Sequence, residues 1–159
     1  LPSQYFEEVT FRISEWALAS DNAEDLVWIF TMGTKRIRVE SPELWLTLLE
    51  KWLGSAEPDH RRIAVLGLTS MINDASLTSL PLIYKHLHPL LLEANPKTLP
   101  YLETILEKLV QKSEKETIFF IKQILRQSQD PLLTRMIRRN IPLFSSEGQE
   151  SLRAFLRAL

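Results

Sequence analysis

Apolar residues recur at three- and four-residue intervals along nearly all of the 159-residue chain, and that spacing commits it to helices that each bury one stripe. No segment alternates apolar and polar residues as a half-buried strand does. Only four glycines occur, so there are few places where the backbone is free to turn abruptly. The expected fold class is all-α.

Capping residues and prolines divide the periodic pattern into helices. Glu7 to Ala19 reads as a first helix, and Ser20-Asp21-Asn22 offers caps for a second with the stripe Leu26, Ile29, Phe30, Gly33 and Ile37. Ser41-Pro42-Glu43 combines a capping hydroxyl, a proline at the first turn and an acid at the positive helix end, and the third helix it opens ends near Gly54. Pro58-Asp59 opens a fourth, running to about Asn73, and Ser76 to Ala94 is a fifth, expected to bend at Pro89. A sixth starts near Pro96-Lys97, and Ser113-Glu114-Lys115-Glu116 is a capping box for the seventh. Asp130-Pro131 starts the eighth, and Ser145 or Ser146 caps a last short helix through Leu152, Phe155, Leu156 and Leu159.

Short connections make neighbouring helices antiparallel. The pairs begin near residues 4, 42, 77 and 114, a period of about forty that points to HEAT-like repeats. The expected architecture is an α-α superhelix, a HEAT-like solenoid of about four hairpins plus a C-terminal helix, forming a single domain over residues 1–159. A globular bundle of short helices is the structural alternative.

The absence of cysteine excludes disulfides, thiolate zinc sites and thiol nucleophiles. Of the three histidines, His86 and His88 stand two apart on a helix and point in different directions, and His60 is remote in sequence, which argues against a metal site. No glycine-rich phosphate loop or Gly-x-Ser-x-Gly elbow is present. No cofactor is expected. No apolar run approaches the length of a membrane span and the start lacks a secretory pattern, so the expected location is cytoplasmic, with no membrane partner. The first residue is leucine, as in a processed chain or a piece of a longer one. Net charge is −1, but residues 1–34 set Arg12 against Glu7, Glu8, Glu15, Asp21, Glu24 and Asp25, so the acidic start contrasts with a basic remainder.

At Pro42-Glu43-Leu44, Lys51-Trp52 and Arg61-Arg62-Ile63-Ala64-Val65 the sequence resembles the bacterial DNA alkylation repair family, HEAT-repeat alkylpurine DNA glycosylases. The likeness continues more weakly through Leu80–Leu92 and Lys112–Ile121 and corresponds to the larger, C-terminal part of a full-length member. The resemblance implies a concave basic groove gripping duplex DNA by its backbone, with a lesion presented to an aspartate flanked by two tryptophans. Aromatic faces would stabilise a cationic N-alkylated base, and the carboxylate the positive sugar formed as the glycosidic bond breaks. Arg62 falls on a family arginine placed near the DNA backbone. The family's acid falls on Val27 with its first tryptophan at Ala23, or, in a second register, on Asp25 with the tryptophan at Asp21; its second tryptophan falls on Ile105. Neither register supplies the aromatic cage, which leaves glycosylase activity open.

The candidate catalytic residues are Asp25 and, one turn on, Trp28 as a replacement aromatic face. The alternatives are an acid that complements the helix dipole and a packing tryptophan, as expected of Trp16, Trp45 and Trp52. Lys35, Arg36, Arg38, Arg61 and Arg62 are candidate DNA-binding residues, against the alternative of a solvated surface paired with Glu40, Glu57 and Asp59. Arg135, Arg138 and Arg139 form a second basic stripe, opposite Leu133, Met136 and Ile137. Duplex DNA is the expected partner; a protein partner, bound by a non-catalytic scaffold, is the alternative.

Overall fold

A computed structural model of the protein describes residues 3–72, 74 and 80–159, with the backbone alone at Ser3 and Gln4. Among the described residues every regular element is helical. In chain order these are α1 (Ser3–Ala19), α2 (Ala23–Trp28), a π-helical turn (Ile29–Gly33), α3 (Lys35–Glu40), α4 (Pro42–Leu53) and α5 (Pro58–Met71). There follow α6 (Leu80–Leu92), α7 (Leu99–Lys112), α8 (Glu114–Gln127), α9 (Pro131–Asn140), a 3-10 turn (Ile141–Leu143) and α10 (Ser146–Ala158). The fold is all-α and built from consecutive helix pairs. The expected end of the fourth helix at Asn73 and the start of the fifth at Ser76 lie outside the described residues.

Three of the anticipated caps are made. Asn22 Oδ1 accepts from the Glu24 and Asp25 amides at 2.8 and 3.4 Å, Asp130 Oδ1 from Leu132 N at 2.8 Å, and Ser145 Oγ from Gly148 N at 3.2 Å. Two are not. Ser41 and Ser113 occupy the N-cap positions of α4 and α8 without a side-chain cap. At α4, Pro42 has no N–H to satisfy and Glu43 faces the helix dipole. At α8 the Ser113 carbonyl accepts from Thr117 Oγ1 at 2.8 Å, and Glu114 reaches across to Ser145, accepting from its amide at 3.2 Å and its hydroxyl at 2.6 Å. The sixth helix starts later than expected because Asn95 Oδ1 caps a turn over residues 96–98, accepting from Lys97 N and Thr98 N.

The chain divides into two compact units, Leu1–Thr78 and Ser79–Leu159. In unit 1, α5 lies against α1, α4 and the π-turn. That central place explains why Ile63 through Thr69 are buried without interruption. Gly67 permits the close approach of α4: a Cβ there would stand 2.3 Å from Leu49 Cδ2 and 3.2 Å from Trp45 Cζ2. The core of the unit is aromatic, with Phe30, Trp45 and Trp52 in mutual contact at centroid distances of 6.0–6.4 Å.

In unit 2, α8 occupies the corresponding position, against α6, α7 and α10. Ile83, Leu87, Leu102, Ile105, Phe120, Ile124 and Leu152 supply its core. Helix α6 continues past Pro89 for three residues; the proline has no N–H to offer the Lys85 carbonyl.

Candidate functional site

The second helix anticipated from sequence is one helical segment with an extra residue in it. Thr34 N donates to Ile29 O at 3.1 Å, an i→i+5 bond, and the insertion turns the stripe by one position beyond Phe30. Gly33, expected on the buried stripe, is exposed, while Thr34 and Arg38 are buried beside Ile37. The inserted residue also deprives the Phe30 carbonyl of its usual i+4 amide. Two side chains replace it: Thr34 Oγ1 and Arg38 Nη1 each donate to Phe30 O at 2.6 Å. Arg38 Nη2 donates to Thr31 O at 3.3 Å, and the guanidinium is paired with Asp74.

Arg38 is therefore withdrawn from the expected DNA-contacting set. It is 2% exposed, and its donors are committed to the backbone of the π-turn and to Asp74, leaving no face for a phosphate. Its neighbours divide. Lys35 and Arg36 are exposed, with Arg36 Nε on Glu40 at 2.7 Å. Arg61 Nε donates to Ser55 O at 2.9 Å. Arg62 has its side chain 12% exposed between Asp59 at 3.6 Å and Asp21 at 3.9 Å. The basic cluster of unit 1 is thus largely neutralised from within.

The stripe on α9 remains outward. Leu133, Met136 and Ile137 are buried, and Arg135, Arg138 and Arg139 are exposed. Arg139 is held by Glu103, its Nε donating to Oε1 at 3.0 Å, with Asn140 Nδ2 on the same oxygen at 3.2 Å. Arg135 and Arg138 have no acidic partner among the described residues. The surrounding unit holds twelve Lys and Arg against eight Asp and Glu, a balance of +4, whereas unit 1 holds seven against twelve, a balance of −5.

Asp25 and Trp28 share α2, both exposed. The shallow apolar surface beside Trp28 is bordered by Ala23, Glu24, Val27, Thr31 and Met32, with Asp25 outside it. Val27 is half-exposed and Ile105 is fully buried in the core of unit 2.

Trp16 departs from expectation. Trp45 and Trp52 are core residues, but Trp16 is 60% exposed and Trp28 64%, and both line a small cleft with Glu8, Val9, Arg12, Ile13, Ile29 and Gly33. Sequence reasoning assigned Trp16 to packing because a tryptophan at helical spacing is ordinarily a core residue. Only the Phe6, Ile13 and Ala17 side is buried, so Tyr5, Phe11 and Trp16 are left outward. A second, larger groove of about 810 Å3 lies between α1 and α4, lined by Phe11, Leu18, Leu44, Leu48, Glu7, Glu15 and Lys51 among others. The excess of apolar residues on α1 was the available signal for both surfaces.

Among the described residues no group of three or more His, Asp or Glu is arranged to hold a metal ion, and no helix is long and apolar enough to cross a membrane. No family model matches the chain, and neither a curated protein nor a solved structure matches it.

Proposed function

We propose that this chain is a DNA alkylation repair-like helical-repeat protein of the cytoplasm that binds duplex DNA through the basic surface of unit 2. The observation that carries this is the exposed pair Arg135 and Arg138, without acidic partners among the described residues, on the outer face of α9 in a unit of charge +4. Guanidinium groups of this kind contact phosphate without reading sequence, and each contact adds salt dependence. No excision step is assigned, because the positions where the resemblance puts an aromatic cage hold Ala23 or Asp21 and the buried Ile105. The test is binding to duplexes carrying an abasic or cationic nucleotide at two salt concentrations. Absent or salt-insensitive binding removes the assignment.

A second reading, a protein-binding scaffold, is favoured by one feature of unit 1. Its exposed surface combines a charge of −5 with outward aromatic residues on α1 and α2, which repels phosphate and suits a polypeptide. Recovery of one stoichiometric protein partner, unaffected by nuclease, would support it over DNA.

A further inference from the structure

Helix α1 is apolar on several sides and covered on one. Phe6, Ile13 and Ala17 are buried in unit 1, where α1 packs on α5, while Phe11 is 59% and Leu18 37% exposed. A helix with apolar residues all round is ordinarily enclosed. Phe11 and Leu18 form one wall of the groove of about 810 Å3, Leu44 and Leu48 of α4 form the other, and the buried Phe6 and Trp52 lie at its base.

We propose that this groove seats an amphipathic α-helix of a partner polypeptide, its apolar stripe turned inward and its cationic flank set against α1. The occupant's shape follows from the spacing. Phe11 and Leu18 stand two helical turns apart, roughly 10 Å along the axis, which matches the interval between i and i+7 anchors of a docked helix. Its charge follows from the wall. Glu7 and Glu15 are exposed, line the same groove and are separated by roughly 12 Å of helix, so two basic residues about two turns apart would meet both, the one at Glu15 displacing its exposed contact with Arg12 at 3.5 Å. The facing wall presents the exposed Lys51, which disfavours a helix cationic on both flanks. Unlike walls fix which way round the helix lies.

The inference rests on the protein-binding reading of unit 1 and is independent of DNA binding by unit 2. It is tested on the full chain with a labelled helical peptide of about 18 residues, carrying leucines at i, i+3, i+4 and i+7 and arginines along one flank, beside a matched peptide with glutamates on that flank. The arginine peptide binds roughly tenfold more tightly. Phe11→Glu weakens it by roughly tenfold, and Glu7→Lys with Glu15→Lys transfers the preference to the glutamate peptide. These three side chains are exposed, and unchanged circular dichroism checks that the variants fold. Equal affinity for the two peptides, no binding of either, or binding indifferent to Phe11→Glu overturns the proposal. A concentration-dependent dimer abolished by Phe11→Glu gives the groove to a second copy and also overturns it. If a stoichiometric protein partner is still captured by the Phe11→Glu chain, the scaffold reading stands and this groove alone falls.

Discussion

The Arg38 guanidinium faces the Asp74 carboxylate along two parallel contacts, Nε to Oδ2 at 2.5 Å and Nη2 to Oδ1 at 3.1 Å. Thirty-six residues separate them in sequence, and the pair ties the end of the second helical segment to the chain beyond α5. The arginine side chain is 3% exposed and the aspartate 14%, so neither ion is well hydrated. Removing one partner of such a pair strands the other charge. Asp74→Ala is expected to cost about 3–5 kcal/mol of stability, with a smaller loss in the double variant Arg38→Met/Asp74→Leu, because the buried charge then goes too. Urea titrations of the three chains read this directly; equal losses in the single and double variants would contradict it.

The π-turn marks the boundary of what the sequence discloses here. Helix type and order were legible because apolar spacing and Pro-preceded starts are local signals, and Pro42, Pro58 and Pro131 each open a helix as read. The inserted residue was not, since Leu26, Phe30 and Ile37 fit an uninterrupted helix almost as well. Its trace was Arg38 four residues beyond Thr34: a cation on what becomes the inner face has to be explained by a buried acceptor, and here that acceptor is the freed Phe30 carbonyl. The site suffered more than the fold. Whether an arginine reaches solvent depends on partners distant in sequence, as Glu103 is from Arg139 and Asp21 from Arg62, and spacing says nothing about those.

Tyr84 gives unit 2 an alkaline limit. Its hydroxyl lies 3.0 Å from Thr117 Oγ1, which also lies 2.8 Å from Ser113 O. Burial raises the phenol above its ordinary value of 10.0, outweighing the hydrogen bond with Thr117, which lowers it, and the Glu116 carboxylate adds to the rise. The folded chain therefore holds this proton more tightly than the unfolded chain. The associated stability is complete below pH 10.0 and is lost as pH climbs through the higher folded value. Tyr84→Phe is expected to remove that part of the alkaline decline, seen as a smaller fall in urea midpoint between about pH 9 and about pH 11. An identical decline in both chains would show that Tyr84 does not contribute.

Asp25 lies in water at the first turn of α2, where Asn22 caps its amide. A carboxylate stabilises a developing cation strongly only when low-dielectric surroundings keep solvent away, and Asp25 stands outside the apolar surface beside Trp28. The expected result is no release of alkylated bases from duplex DNA by the wild-type chain, and duplex affinity unchanged in Asp25→Asn. Chromatography of released bases and a binding titration settle both. Release that disappears in Asp25→Asn would restore this residue to catalysis.

The same duplex titration separates the two basic clusters by their salt dependence. Each phosphate neutralised contributes about 0.9 to the slope of log affinity against log salt, so the slope counts contacts whatever the lesion. Arg135 and Arg138 are exposed, without acidic partners among the described residues, and Arg135→Ala with Arg138→Ala is expected to flatten the slope by about 2. Arg36 is engaged by Glu40, which must be displaced before a phosphate can be met, so Arg36→Ala should change the slope by well under 1. Neither change touches a buried side chain, so thermal midpoints stay within a few degrees. If the Arg36→Ala slope moves and the α9 double variant's does not, contact with the duplex belongs to unit 1, against its net charge of −5.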